Sequence, residues 1–461
     1  MSFQRLSRFA RASLFSLAAT LLVGAETPPA EQAFREGNPF ELTQALATAP
    51  AGASSPLYRG YLAASFRDAD RAGRELRSAL AHASDPDQRR RVLTHLTSAL
   101  FRERQYTEAI PYLEELLAAA QKAESAEEAR DAAQTLGVAR GVHSFPAQVT
   151  AAIAPTTLVR TVDRAGLTRI DASVNGNACT VVFDTGANLC VAAASFAEKN
   201  GFVMADGEVD VQAATGATVR ARLGMAESLK LGGCQFRNVP FLVFKDEDLT
   251  FAAIQYTIEV IVGFPVISEL KSVRVLSSGT VELGVTREPR GTRSLAFDGL
   301  SPLVAVTLGG RTLPFLLDTG ASHSSFREAT LKAVPTLADA VRTSTAAVGG
   351  AGGVVQREHR MVTEATLTVG HHQQRLENLL VWPNTQDPAR HYFGSLGTDI
   401  LFSGIGYELD FEHMEFHLLS SSAPAVDPHP KTLPPTAPAS SPSAADHNQK
   451  TNRQNTAVPK L

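Results

Sequence analysis

Between residues 31 and 140, apolar positions recur at steps of three and four in a sequence rich in alanine, leucine, arginine and glutamate. That spacing predicts amphipathic helices. The pattern partly repeats: residues 61–66 followed by Ala72, Leu76 and Leu80 are echoed by residues 96–101 followed by Ala109, Leu113 and Leu117. The offsets run from 35 to 37 residues, which reads as a short array of helical hairpins. Around Pro146 and Pro155 the periodicity lapses, so residues 141–165 read as a linker. From Gly166 the texture changes to short β-favouring runs separated by glycine and asparagine, as in an all-β region. Residues 229–231 and 366–369 each read as a strand ending in a glycine turn. Each precedes an asparagine-led apolar strand, at 238–244 and at 378–382. Runs at 272–276 and 406–411 close two successive lobes. After residue 420 serine, proline, alanine and polar residues dominate, without aromatics, and a disordered tail is expected at 421–461.

Within the β region two apolar runs end alike. Val181-Val182-Phe183 leads into Asp184-Thr185-Gly186-Ala187, and Phe315-Leu316-Leu317 leads into Asp318-Thr319-Gly320-Ala321. One such triplet is weak, because an aspartate at a strand end often does no more than accept backbone hydrogen bonds in a turn. The surroundings, however, repeat in register. Asn175-Gly176 and Gly309-Gly310, both strong hairpin signals, precede their aspartates by nine and eight residues. Gly216 and Gly350 each follow by 32 residues, and Gly263 of Ile261-Val262-Gly263 and Gly397 of Ser395-Leu396-Gly397 each follow by 79. Four landmarks in one register indicate an internal duplication of about 125 residues.

These paired motifs resemble the aspartic peptidases of the retropepsin and pepsin type, with two retropepsin-type halves fused in one chain. The resemblance covers residues from about 166 to 419. It implies an all-β bilobed acid-protease fold in which Asp184 and Asp318 form the catalytic pair. It also implies that Thr185 and Thr319 brace the two loops across a pseudo-two-fold axis. Gly186 and Gly320 would allow the tight approach of two backbones. Ala187, Asn188, Ala321 and Ser322 would line the substrate floor, and Thr215, Gly216, Gly349 and Gly350 would form flap tips over an extended peptide. Two carboxylates in near contact cannot both ionise cheaply, so they share a proton; one activates water while the other acts as acid. Three departures stand out: neither flap carries the tyrosine of pepsin-like enzymes, Asn188 differs from Ser322, and Ser395 and Asp399 face Ile261's and Pro265's places in the first lobe. The helical segment in turn resembles tetratricopeptide repeats, although Pro111 inside the second helix of one unit departs from them.

Composition adds bounds. Of 461 residues, 44% are hydrophobic and 20% charged, which is ordinary globular protein able to bury a core. A formal net charge of −4 gives no reason to expect nucleic acid as a partner. Three cysteines, Cys179, Cys190 and Cys234, rule out a disulfide framework; free thiols are expected, with a single bridge as the alternative. Arg5, Arg8 and Arg11 ahead of an apolar run at 12–25 read as a secretory signal peptide, too short for a membrane span. His359, His371, His372, His413 and His417 lack partners at ligand spacing, so they read as solvated surface, and neither metal nor cofactor is expected.

The expected organisation is therefore multidomain. It comprises a signal peptide at 1–25, an all-α helical-repeat domain at 26–140, a linker at 141–165, aspartic peptidase lobes at 166–289 and 290–420, and a tail at 421–461. The expected activity is that of an exported, periplasmic or secreted, aspartic endopeptidase acting on peptides or proteins. Its helical domain would serve as packing or as a docking surface for a protein partner. The rival reading is a scaffold that captures peptides without cutting them.

Overall fold

Helix boundaries in the N-terminal region follow from local chemistry. The computed structural model describes residues 27–420 apart from 51, 53, 213–217, 252–254, 292, 351–352 and 384–390. Among the described residues of this N-terminal region seven helices follow one another: α1 (Pro29–Arg35), α2 (Pro39–Thr48), α3 (Pro56–Ser65), α4 (Ala69–His82), α5 (Pro86–Arg102), α6 (Tyr106–Lys122) and α7 (Ala126–His143). Asn38, Ser55, Asp68 and Asp85 cap four of them by accepting from an amide in the first turn. Proline follows the cap in α2, α3 and α5, where its missing amide costs nothing. Pro111 lies inside α6 and removes one amide from its ladder.

Four turns between these helices share one geometry. Gly37, Arg67, Arg104 and Glu124 adopt left-handed backbone with φ of 62°, 65°, 60° and 56°. In each turn that residue and its successor donate to carbonyls of the preceding helix, as in Arg67 to Ala64 and Asp68 to Ala63. The helices bury Leu42, Leu76, Leu93 and Leu96 completely.

The β region forms two sheet bodies, consistent with a bilobed acid-protease fold. In the first lobe, strands Thr168–Val174, Asn177–Phe183, Cys190–Ala193, Thr218–Leu231, Cys234–Phe244 and Val260–Val262 join one sheet. In the second, eight strands from Leu295–Asp298 to Gly394–Leu396 form its counterpart. A separate five-stranded sheet ties the lobes: Ser272–Leu276 of the first pairs antiparallel with Gly406–Asp410 of the second, from Ser272↔Asp410 to Leu276↔Gly406. The carboxylate of Glu408 on that sheet is 1% exposed and lies 2.6 Å from Arg290, with Arg287 and Arg274 beyond it. Glu415 accepts from the amides of Arg290 and Gly291, which pins the connection between the lobes. One chain thus supplies both halves.

Two local readings differ from what the sequence suggests. The stretch 141–165, expected as a linker, carries strands Val149–Ala152, Thr156–Val159 and Thr161–Val162. The first joins the first lobe's sheet and the second flanks the five-stranded sheet. No position in either is buried, and their residues lack the apolar alternation that would mark them. Asn238 and Asn378 do not lead their strands, which begin at Cys234 and His372. Instead each sits mid-strand at φ of 55° and 57°, and the ladder skips one pair there without changing register.

The helical region docks onto both lobes. Arg67 and Arg104, the left-handed residues of the α3–α4 and α5–α6 turns, each stand 3.2 Å from Glu269 of the first lobe. Toward the second lobe, buried Asn38 donates to the Thr312 carbonyl at 2.8 Å, and Arg311 pairs with Glu36 and Glu41. The signal-peptide and tail segments expected from the sequence lie outside the described residues. No helix among the described residues is long and apolar enough to cross a membrane.

Candidate active site

Each Asp-Thr-Gly loop is delivered by a hairpin. Asn175 and Gly176, at φ of 48° and 84°, turn Thr168–Val174 into Asn177–Phe183; Gly309 and Gly310, at 58° and 80°, turn Ser301–Leu308 into Arg311–Leu317. Positive φ at both central positions is what a tight hairpin following the strand twist requires. The second strands end in residues that are almost wholly buried: Val181, Val182 and Phe183 in one lobe, Phe315 and Leu317 in the other. Each aspartate therefore leaves its strand at the edge of a packed core.

A later strand then wedges in from behind. Val260–Val262 lies parallel to the strand before Asp184, and Gly394–Leu396 does the same before Asp318. The amide of Asp184 donates to Val262 and that of Asp318 to Leu396, both at 3.1 Å. Gly263 and Gly397 follow. A Cβ on Gly263 would stand 2.5 Å from the Leu189 carbonyl oxygen, and one on Gly397 would stand 2.9 Å from that of Ala321. Glycine is required at both positions because the backbones nearly touch.

Between the loops the threonines interlock. The Thr185 amide donates to the Thr319 hydroxyl at 2.9 Å, and the Thr319 amide donates to the Thr185 hydroxyl at 3.1 Å. Each hydroxyl in turn donates across the axis, Thr185 to Leu317 and Thr319 to Phe183, at 2.6 and 3.0 Å. Both side chains are essentially inaccessible. With every donor and acceptor satisfied inside the protein, the network fixes two loops 134 residues apart in sequence.

The aspartates meet directly above this network. Gly186 donates to Asp184 at 2.8 Å and Gly320 to Asp318 at 3.0 Å, so each loop orients its own carboxylate. A Cβ on Gly186 would lie 2.5 Å from Asp318 Oδ1, and one on Gly320 would lie 2.6 Å from Asp184 Oδ2. Each carboxylate thus occupies the space over the opposite lobe's glycine. Burial, and next the negative charge of Asp318, raise the Asp184 pKa from the ordinary 3.8 to about 7; amides of Gly186, Gly320 and Ala187 oppose the shift. Such a pair holds one proton in common through the acidic range.

The lobes differ in their supports in a compensated way. Ser395, which breaks the apolar pattern, faces Ser325, and their hydroxyls bond at 2.8 Å. The matching pair in the first lobe is Val191 and Ile261. Behind the loop, Ser324 donates to Asp399 from both amide and hydroxyl, at 2.8 and 2.7 Å, and accepts from Gly397. The first lobe has Cys190 and Pro265 at those places, and the Cys190 sulfur accepts from Gly263 at 3.4 Å. Both lobes thus hold the same glycine amide, one through oxygen and one through sulfur. The Ser324 pairing is legible only once the two halves are laid in register.

Of the remaining expected site residues, Ala187 and Ala321 are half-buried beside the aspartates, Asn188 is half-buried and Ser322 is exposed. Gly349 and Gly350 end strand Val341–Gly350, in a hairpin with Gly353–Val369. Thr215 and Gly216 lie outside the described residues. All three cysteines are free, and burial pushes the Cys190 thiol up to about 12. Not every histidine is solvated: His359 is buried against Trp382 with ring centroids 5.2 Å apart. His413 and His417 contact the carboxylates of Asp410 and Glu415. Among the described residues no cluster of histidine, cysteine and carboxylate could hold a metal ion.

The model of a family described as Aspartyl protease matches residues 170–266 and again 304–400. No curated protein matches the chain. Among solved structures, a retropepsin-like aspartic protease from Rickettsia conorii matches at 18% identity over 30% of this chain and 95% of its own, with a TM-score of 0.21. Each β lobe therefore matches an aspartyl protease family, and the helical region lies outside both matches.

Proposed function

We propose that this protein is an exported aspartic endopeptidase whose active site is formed by Asp184 and Asp318. The observation that carries the reading is the placement of the two carboxylates over each other's glycines, with burial and mutual repulsion raising the pKa of Asp184. In the singly protonated pair, the ionised carboxylate takes a proton from a water molecule as that water attacks the peptide carbonyl carbon. The protonated carboxyl donates its hydrogen to the carbonyl oxygen, giving a neutral tetrahedral diol. One carboxyl then protonates the amide nitrogen while the other, ionised, takes a proton from a diol hydroxyl, so the C–N bond breaks and the pair returns to its singly protonated state. Thr185, Gly186, Thr319 and Gly320 hold the geometry; Ala187, Asn188, Ala321 and Ser322 form the floor. Thr215, Gly216, Gly349 and Gly350 belong to the flaps, against which substrate binds as an added strand. Export rests on the N-terminal Arg5, Arg8 and Arg11 and the apolar run that follows them.

The test is digestion of a peptide library by the mature protein at acidic and neutral pH, with and without pepstatin. Cleavage that pepstatin suppresses supports the proposal. Folded protein that cuts nothing at any pH would contradict it.

A further inference from the structure

The two lobes repeat at an interval of 134 residues, so every feature around the aspartates has a counterpart, and any difference between counterparts is a break of pseudo-symmetry. On the side of the second loop, the site is open. Ser322 and His323 are exposed there, and the first lobe's turn at 163–167 borders them, with a Cβ on Gly166 standing 3.9 Å from Ser322 Oγ. Asp163 stiffens that turn by accepting from the amides of Ala165 and Leu167, at 2.9 Å each, while Arg164 projects into solvent.

The counterpart side is covered. Leu189 stands where the second lobe has His323, and it is 6% exposed. Asn188 matches Ser322, and its Oδ1 is buried without a hydrogen-bond partner. The second lobe's matching turn, between Asp298 and Ser301, lies under the helices: Gly299 faces Ser98 of α5, and the Arg102 guanidinium sits 5.7 Å over the Phe297 ring. On the first lobe, α7 leans on the flap hairpin. Gly137 and Gly141, one turn apart on that helix, face Val209 and Leu223. Glycine is disfavoured inside a helix relative to alanine, so two on one face mark a close approach. Val209 is half-buried there, whereas its counterpart Thr343 is exposed. Residue chemistry follows exposure: leucine and valine on the covered side, histidine and threonine on the exposed one.

We infer that the helical region closes one end of the substrate cleft, so that peptide subsites end sooner on the Asn188 side than on the Ser322 side. The enzyme then cuts extended chains with few residues bound toward the helices and a longer run bound toward Ser322. The peptidase reading supplies the identity of the cleft; the asymmetry is a property of this chain's helices.

Two nested peptide series test it, built on one core sequence and lengthened one residue at a time, first at one terminus and then at the other. The expected result is a several-fold gain in kcat/KM per added residue that stops early on one side and continues on the other. Equal gains at both ends would overturn the inference. The same series is titrated calorimetrically into the Asp184→Asn protein. If nothing is cut but binding shows one-sided length dependence, the hydrolytic reading falls and this one stands. If the peptides are neither cut nor bound, this one falls as well.

Discussion

Thr185 and Thr319 exchange amide-to-hydroxyl hydrogen bonds at 2.9 and 3.1 Å, and each hydroxyl passes its own hydrogen to a carbonyl of the opposite lobe. Replacing one threonine by valine keeps the shape but leaves the facing amide buried without an acceptor. Thr185→Val and Thr319→Val are each expected to lose about 1–3 kcal/mol of stability in urea unfolding. Peptide cleavage should fall much further, since both carboxylates shift together. Serine at either position restores the hydroxyl and should recover most of both.

Protonation links the same site to stability. Because the Asp184 pKa is raised to about 7, the folded protein keeps a proton between pH 4 and 7 that the unfolded chain releases. Its contribution to stability therefore declines as pH rises through that window. In Asp318→Asn the repelling charge is gone and Asp184 titrates nearer its ordinary value. The melting temperature of the variant relative to wild type should increase by a few degrees from pH 4 to pH 7. A constant difference across that range would contradict the assignment.

Ser325 and Ser395 form a hydroxyl pair where the first lobe packs Val191 against Ile261. Ser395→Ile alone strands the Ser325 hydroxyl in the sheet and should cost about 1–3 kcal/mol. Adding Ser325→Val transplants the apolar pair and should return part of that loss, giving a favourable coupling in a double-mutant cycle.

What could be read from residue order divides by range. The hairpins at Asn175-Gly176 and Gly309-Gly310 and the strands behind them were legible, because a local φ requirement selects their residues. The spacing shared by Gly263 and Gly397 was legible through the repeat. Docking of the helices was not. Arg67 and Arg104 occupy left-handed turns where glycine would have been the signal, and their shared partner Glu269 lies far along the chain. Strands Val149–Ala152 and Thr156–Val159 were hidden because their exposed positions carry no apolar alternation. The Ser324–Asp399 pair is polar chemistry inside a lobe, and only comparison with Cys190 and Pro265 marks its role.

Glu269 joins the helices to the first lobe through Arg67, Arg104 and Thr150. Glu269→Ala leaves two arginines facing each other without a counter-charge. A loss of about 2–3 kcal/mol is expected, somewhat less than for a fully buried pair. Protease susceptibility should rise at the turns holding Arg67 and Arg104, and unchanged susceptibility would show that the contact is incidental.

The most direct measurement compares hydrolysis of one fluorogenic peptide by wild type, Asp184→Asn and Asp318→Asn, each verified as folded by circular dichroism. The two-carboxylate account predicts that both variants lose roughly a thousandfold or more in kcat/KM, equivalent to about 4 kcal/mol of transition-state stabilisation. Retention of wild-type cleavage by either folded variant would contradict it.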